Sequence, residues 1–210
     1  MKYVAIVFGL LCLFLVVIGI SGCGSYNAIV GSAQNVDGKW GDVQSQYQRR
    51  ADLVPNLVAT VKGSAEFEKS TLEAVVNARA KATSVNISSN TAPTDPNQLK
   101  QYEAAQGELS RSLGRLLVTV EKYPDLKASQ GFLTLQAQLE GTENRINVAR
   151  DAFNDAVQQY NTRVQSFPGV IVARMGGYMP RPYFTSSAGA ENAPSVNFDF
   201  GNKAAPAAAQ

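Results

Sequence analysis

The chain has 210 residues, 45% of them hydrophobic and 17% charged, with 19 basic against 17 acidic side chains, two cysteines and no histidine. That length gives one domain and at most a tail, and a net charge of +2 lacks the strongly basic footprint of a nucleic-acid binder. Without histidine there is no imidazole base, no histidine zinc site and no Ser-His or Cys-His nucleophile.

Residues 1–22 stand apart from the rest. Met1 and Lys2 precede an apolar run from Tyr3 to Ile20, and Ser21-Gly22-Cys23 follows it. This is the layout of an export signal. The quartet Ile20-Ser21-Gly22-Cys23 resembles the lipobox of bacterial lipoproteins, in which a peptidase cuts before an acylated cysteine; Cys23 is then the lipidated first residue of the mature protein and its anchor. The same run, 18 residues long, reaches roughly 27 Å as a helix, close to the lower limit for crossing a bilayer, so an uncleaved single-pass anchor is the second reading. A cut signal that frees the protein is the third. The sparse basic flank places the remainder outside the cytoplasm in all three. In the lipoprotein reading Cys12 leaves with the signal and Cys23 is acylated, which removes thiol catalysis, disulfides and a cysteine zinc site together.

From Ile29 the stripe Ile29, Ala33, Val36, Trp40, Val43, Tyr47, Ala51, Val54, Val58, Val61, Ala65 recurs with the helical period and predicts one long amphipathic helix. Pro55 falls inside it, where it removes a backbone hydrogen bond and crowds the carbonyl of Ala51. A kink is expected there rather than a stop, because the stripe keeps phase. Gly63-Ser64 predicts an end and a restart capped by Ser64. Phe67, Thr71, Ala74, Val75, Ala78 and Ala82 then trace a shorter helix, and residues 84–97 read as a loop.

Asp95-Pro96 supplies an N-cap followed by proline at the first helical position. Leu99, Tyr102, Leu109, Leu113, Leu116 and Val120 carry a third helix to about Lys122. A fourth is predicted from about Leu126 to Phe167 on the stripe Phe132, Leu135, Leu139, Thr142, Ile146, Ala149, Phe153, Ala156, Tyr160, Val164, Phe167, whose spacing is coiled-coil-like. Phe167-Pro168-Gly169 ends it. The short apolar stretch Val170-Ile171-Val172 follows, and the Gly/Pro/Ala/Ser-rich remainder is expected to be largely disordered beyond about residue 185.

The fold class expected is all-α: an antiparallel up-and-down four-helix bundle over residues 23–169, with long first and fourth helices and two shorter ones between, preceded by the anchor or signal at 1–22 and followed by a C-terminal segment, 170–210. The two short helices can cover only half of the long pair. The other half is expected as a two-helix stalk carrying Val36, Trp40, Val43 and Tyr47 opposite Phe153, Val157, Tyr160 and Val164.

Several ordered blocks match a known family. Tyr26-Asn27-x-Ile29-Val30, Trp40-x-x-Val43-x-x-Gln46-Tyr47-x-Arg49-Arg50-Ala51-Asp52-Leu53-Val54-Pro55-Asn56-Leu57-Val58 and Val61-Lys62-Gly63 resemble the N-terminal signature of the LemA family of bacterial envelope proteins. Tyr123-Pro124-x-Leu126-Lys127-Ala128, Leu139-Glu140-Gly141-Thr142-Glu143-Asn144-Arg145-Ile146, Ala149-Arg150, Phe167-Pro168 and the tail Pro194-x-Val196-x-Phe198 resemble its C-terminal half. The resemblance implies an N-terminally anchored helical bundle in the cell envelope. It implies no catalytic residues.

The charged cluster of the helices is the sharpest candidate site: Arg49, Arg50 and Asp52 in the first helix, Arg79 in the second, and Glu140, Glu143, Arg145 and Arg150 in the fourth. Antiparallel packing is expected to bring Glu143 near Arg50, as a structural polar network that fixes helix register. A di-metal carboxylate site needs Glu-x-x-His pairs and cannot be drawn; Lys69-Ser70 are neighbours on different faces of a helix, which defeats serine-lysine chemistry; phosphate, calcium and dinucleotide loops are not present. Trp40, Tyr47 and Tyr160 read first as plain core; the second reading makes them, with Phe198 of the tail, an interaction surface on a bare stalk, with residues 170–184 able to fold back over it or rest on the lipid surface. The expectation is therefore a non-enzymatic envelope protein with no cofactor, tethered to membrane lipid by its N-terminus and presenting surfaces to other envelope proteins or to a second copy. A tethered enzyme or ligand-binding subunit using Glu140 or Glu143 is the alternative.

Overall fold

A computed structural model describes residues 2–63, 67–85 and 91–185, with side chains before Gly22 described only at 3, 6, 8–10 and 12. Every regular element among the described residues is a helix: α1 Lys2–Lys62, α2 Lys69–Ser84, α3 Pro96–Val120, α4 Pro124–Lys127, α5 Gln130–Gln165 and α6 Gly169–Gly176. Among the described residues no helix is long and apolar enough to cross a membrane. The expected anchor or signal at 1–22 lies largely outside the described side chains, as does the tail with Phe198.

α1 is one uninterrupted helix of 61 residues, about 92 Å long at 1.5 Å per residue. It starts well before the predicted Ile29 and passes through Ser21-Gly22-Cys23, with Cys23 exposed. α5 runs beside it in the opposite direction: Thr60 approaches Gly131, Arg50 meets Glu143, and Trp40 packs on Phe153. α2 and α3 form a second antiparallel pair, with Glu68 near Lys122 and Lys81 bonded to Glu108.

Local chemistry sets the ends. Asp95 accepts from the backbone N–H of Asn97 at 2.8 Å, and Pro96 opens α3, satisfying an orphan donor where proline lacks one. The predicted cap Ser64 lies outside the described residues. α2 instead begins at Lys69 after an extended Glu68, and Phe67 precedes the helix, its ring 5.1 Å from Tyr123. The predicted fourth helix is broken after Lys127, because extended Ser129 caps a new start by accepting from Phe132 N–H at 3.3 Å. The chain leaves helical geometry again at Ser166, so Phe167, read as the last stripe residue, is 81% exposed.

The segment after it folds as α6 rather than remaining an irregular stretch. A Cβ on Gly169 would stand 2.2 Å from the carbonyl oxygen of Arg163, so only glycine allows α6 to turn back against α5. Gly177, with φ +72°, closes it in the left-handed region.

Two apolar clusters make the core. One joins Ile29 to Tyr47 of α1 with Leu99, Tyr102, Ile146 to Val164, Ala173 and Phe184. The other joins Val54, Leu57 and Val61 with α2, the far half of α3, Leu126, Phe132 and Leu139. Pro55 marks the change between them. Its missing N–H leaves the carbonyl of Ala51 without the usual i+4 donor, and Arg79 of α2 donates its Nε to that oxygen at 2.8 Å. A side chain of the neighbouring helix thus replaces the backbone bond that proline removes. Arg79→Met is expected to cost about 1–3 kcal/mol in urea unfolding by stranding that carbonyl, and Pro55→Ala in the same chain should recover part of the loss. No recovery would mean that the two residues are not coupled.

Candidate functional site

Arg50 is on the inward face of α1, between the two clusters, and is only 2% exposed. Its Nη1 donates to Glu143 Oε2 at 2.9 Å and to Ser110 Oγ at 2.5 Å. Nη2 donates to the main-chain oxygen of Gln106 at 3.1 Å and to its side-chain Oε1 at 2.8 Å. Gln106 in turn donates through Nε2 to the carbonyl of Ala82, at the end of α2. One guanidinium therefore ties α1 to α3 and α5 directly and to α2 through one amide. Its Nε has no hydrogen-bond partner.

The Tyr47 ring lies 5.1 Å from the guanidinium carbon, and the Tyr102 ring meets Tyr47 edge-on at 5.5 Å. Burial pushes both phenols above their ordinary range, with Arg150 and Arg50 partly opposing the shift at Tyr47. Both phenols therefore stay neutral at physiological pH. Thr142, fully buried, returns its hydroxyl to Gln138 and accepts from Arg145.

The eight charged residues singled out in the sequence do not form one network. Arg50 and Glu143 are joined in this layer, and Arg79 braces Ala51 beside it. Arg150 belongs to a neighbouring cluster with Glu103. Asp52 is exposed and accepts from Gln48 of its own helix, Glu140 is exposed and accepts from Gln136, and Arg145 bonds within α5. Exposed Arg49 lines a shallow groove with Arg145. Two clefts flank the layer. One, of about 820 Å³, is lined by Gln46, Tyr47, Asp52, Tyr102 and Gln106; the other, of about 640 Å³, lies between α3 and α5 and is lined by Arg50, Glu103, Arg111, Glu143 and Arg150.

The half of the long pair that α2 and α3 were expected to leave as a stalk is covered, in keeping with the reading of its aromatics as core. Trp40 is fully buried, and Tyr47 and Tyr160 are nearly so, because α3 and an extended strap, residues 178–185, close over the long pair. The Trp40 ring lies 5.4 Å from Tyr102 and stacks on Phe184 of the strap at 6.0 Å. Two asparagines of α5 hold the strap. Asn161 accepts from Arg181 N–H at 2.8 Å and donates to Arg181 C=O at 2.9 Å; Asn154 does the same for Phe184, at 2.9 and 3.1 Å. A primary amide carries both a donor and an acceptor, so each asparagine satisfies a whole backbone residue.

The spacing matches as well. Seven helical residues rise about 10.5 Å and three extended residues about 10 Å, so rungs at 154 and 161 meet strap residues 184 and 181. Tyr160 donates to the carbonyl of Met179, and Arg181 pairs with Asp37 at 2.5 Å. Thr185 N–H and Arg150 both donate to Glu103, and the Arg150 guanidinium lies 4.7 Å over the Phe184 ring. Burial raises the Glu103 pKa, with the hydrogen bonds from Thr185 and the charge of Arg150 opposing it.

Sequence reading missed Gln106, Ser110, Glu103, Asn154, Asn161 and the Asp37–Arg181 pair. Gln106 had a signal: it occupies the stripe position between Tyr102 and Leu109, where an apolar residue belongs. Asn154 and Asn161 had one too, each following an aromatic stripe residue at heptad spacing. Asp37 and Arg181 had none, being distant partners brought together by the strap.

All but the first of the ordered blocks, Tyr26 to Val30, fall within one family match. The model of the LemA family covers residues 39–198. This chain belongs to the LemA family. Among curated proteins this LemA-family chain is similar to the magnetosome protein MamQ of Magnetospirillum gryphiswaldense, with 24% identity over 76% of this chain and 64% of the relative. It is equally similar to MamQ 2 of Paramagnetospirillum magneticum. It is 23% identical to Protein LemA of Metamycoplasma hominis over 69% of this chain and 61% of that protein. The chain thus spans less than two thirds of the length of the relatives it matches.

The asparagine rungs give a test specific to this LemA-family chain. Asn161→Asp keeps the acceptor and loses the donor, stranding the carbonyl of Arg181 at a cost of about 1–3 kcal/mol. The strap should loosen, and emission from Trp40, the single tryptophan, should shift to the red as Phe184 leaves it. Unchanged emission and stability would contradict the role given to the rungs.

Proposed function

We propose that this LemA-family protein is a non-catalytic, membrane-tethered scaffold of the cell envelope, in which α1, α2, α3 and α5 form an up-and-down bundle that presents its polar clefts to other envelope proteins. The observation that carries this reading is the continuity of α1. The helix that begins in the apolar run Tyr3–Ile20 is the same helix that supplies Trp40, Arg50 and Leu57 to the bundle interior. A tether built this way has no joint between membrane and body, so it sets the height and orientation of the clefts. The buried charges are engaged in joining helices, which suits a rigid support.

Attachment takes one of two forms. The unbroken backbone of α1 favours retention of the apolar run as an anchor, whereas the exposed Cys23 after Ile20-Ser21-Gly22 favours acylation there. Intact-mass measurement of the purified chain separates them. For the tether itself, membranes are washed with alkaline carbonate. The full chain should stay in the pellet, a variant lacking residues 3–22 should be released, and protease added outside should degrade the body after Cys23. Equal release of both chains, or protection from external protease, would contradict the proposal.

A further inference from the structure

We propose that the outer face of α6 is a membrane-surface contact that lays the base of the bundle on an anionic phospholipid bilayer; this rests on the tethering reading above. Ile171 and Met175, one turn apart on α6, are 54% and 85% exposed, and Phe167 before them and Met179 after them are 81% and 72% exposed. The opposite side of the helix is committed to the core through Ala173 and Val172. A short helix with one side buried in protein and a row of large apolar side chains on the other has an unpartnered face.

Three further observations say what covers it. The first is height. Tyr178, just after α6, packs edge-on against Tyr26 of α1 at 6.2 Å, and Phe167 shares a small cleft with Ser25 and Ala28. Tyr26 lies six residues beyond Ile20, about 9 Å along the helix axis. With the apolar run in the hydrocarbon layer, α6 stands at the level of the lipid headgroups. The second is charge. No acidic residue occurs before Asp37, nor between Asp155 and Thr185, the last described residue. Arg163 and Arg174 are exposed in that acid-free region, while Arg181 is paired with Asp37. The base of the molecule is thus positive although the whole chain is nearly neutral, as contact with anionic headgroups requires. The third is side-chain type: Tyr26 and Tyr178 put amphipathic rings at that level, where tyrosine is enriched in membrane proteins.

The test uses the full chain with both native cysteines kept, incorporated in nanodiscs containing brominated phospholipid. A polarity-sensitive fluorophore is attached by azide–alkyne coupling to an azide-bearing amino acid introduced at position 175 or, as a control at the far end of the bundle, at position 118, where Val118 is 70% exposed. Quenching at 175 should exceed that at 118 by at least about threefold in discs of phosphatidylglycerol, as expected for an apolar face seated among headgroups. It should fall in phosphatidylcholine discs and in Arg174→Glu. Absence of quenching at 175 in a chain that still co-fractionates with the discs would overturn the contact and leave the tether standing. Equal quenching in both lipids would overturn the role of charge, and failure to co-fractionate would overturn both readings.

Discussion

The fold depends on one buried cation. Arg50 stands where α1 passes from one apolar cluster to the other, and a guanidinium removed from water is tolerated only when its N–H groups are met. Glu143, Ser110 and Gln106 meet those of Nη1 and Nη2 from two other helices, leaving only Nε without a partner. A slip of α5 by one helical turn would move Glu143 about 5.4 Å along the axis and leave the cation buried without its counter-charge. Apolar stripes alone tolerate such slips, since Val, Leu and Ala interchange along them. The polar layer does not, so it fixes register where the hydrophobic pattern is degenerate.

The consequences spread along the molecule. With α1 and α5 locked at Arg50, Trp40 falls opposite Phe153 and leaves room for Phe184, while Asn154 and Asn161 face outward to take the strap. On the other side of the layer Pro55 opens a carbonyl that Arg79 fills, tying α2 to the same turn of α1. α6 and the strap, together with the start of α3, close the half of the long pair that carries Trp40 and Tyr47.

Much of this was legible in the residues and some was not. The periodic stripes located α1, α3 and α5, and the Asp95-Pro96 pair marked the start of α3, because period and capping are local properties. Ser129 opened a new helix just before the stripe begins at Phe132, where no apolar period marked the boundary, and Ser166 ended it one residue short of the last stripe position, Phe167. Arg50 and Glu143 were recognisable as charges beside an apolar seam, but Arg49, Asp52, Glu140 and Arg145, at similar spacing, proved to be surface residues. Trp40, Tyr47 and Tyr160 were legible as core residues, but the strap that covers them was not. A strap without regular structure has no period, and its rungs are read only when the helix that holds them is seen beside it.

The most direct test of Arg50 as the register lock is a double-mutant cycle with Glu143, read by urea unfolding of the full chain. Arg50→Ala should destabilise by about 1–3 kcal/mol by stranding the buried oxygens of Gln106, and Glu143→Ala should cost far less in that background than in the parent, with a coupling of about 1 kcal/mol or more. Additive effects, or a loss within about 0.5 kcal/mol for Arg50→Ala, would contradict the account.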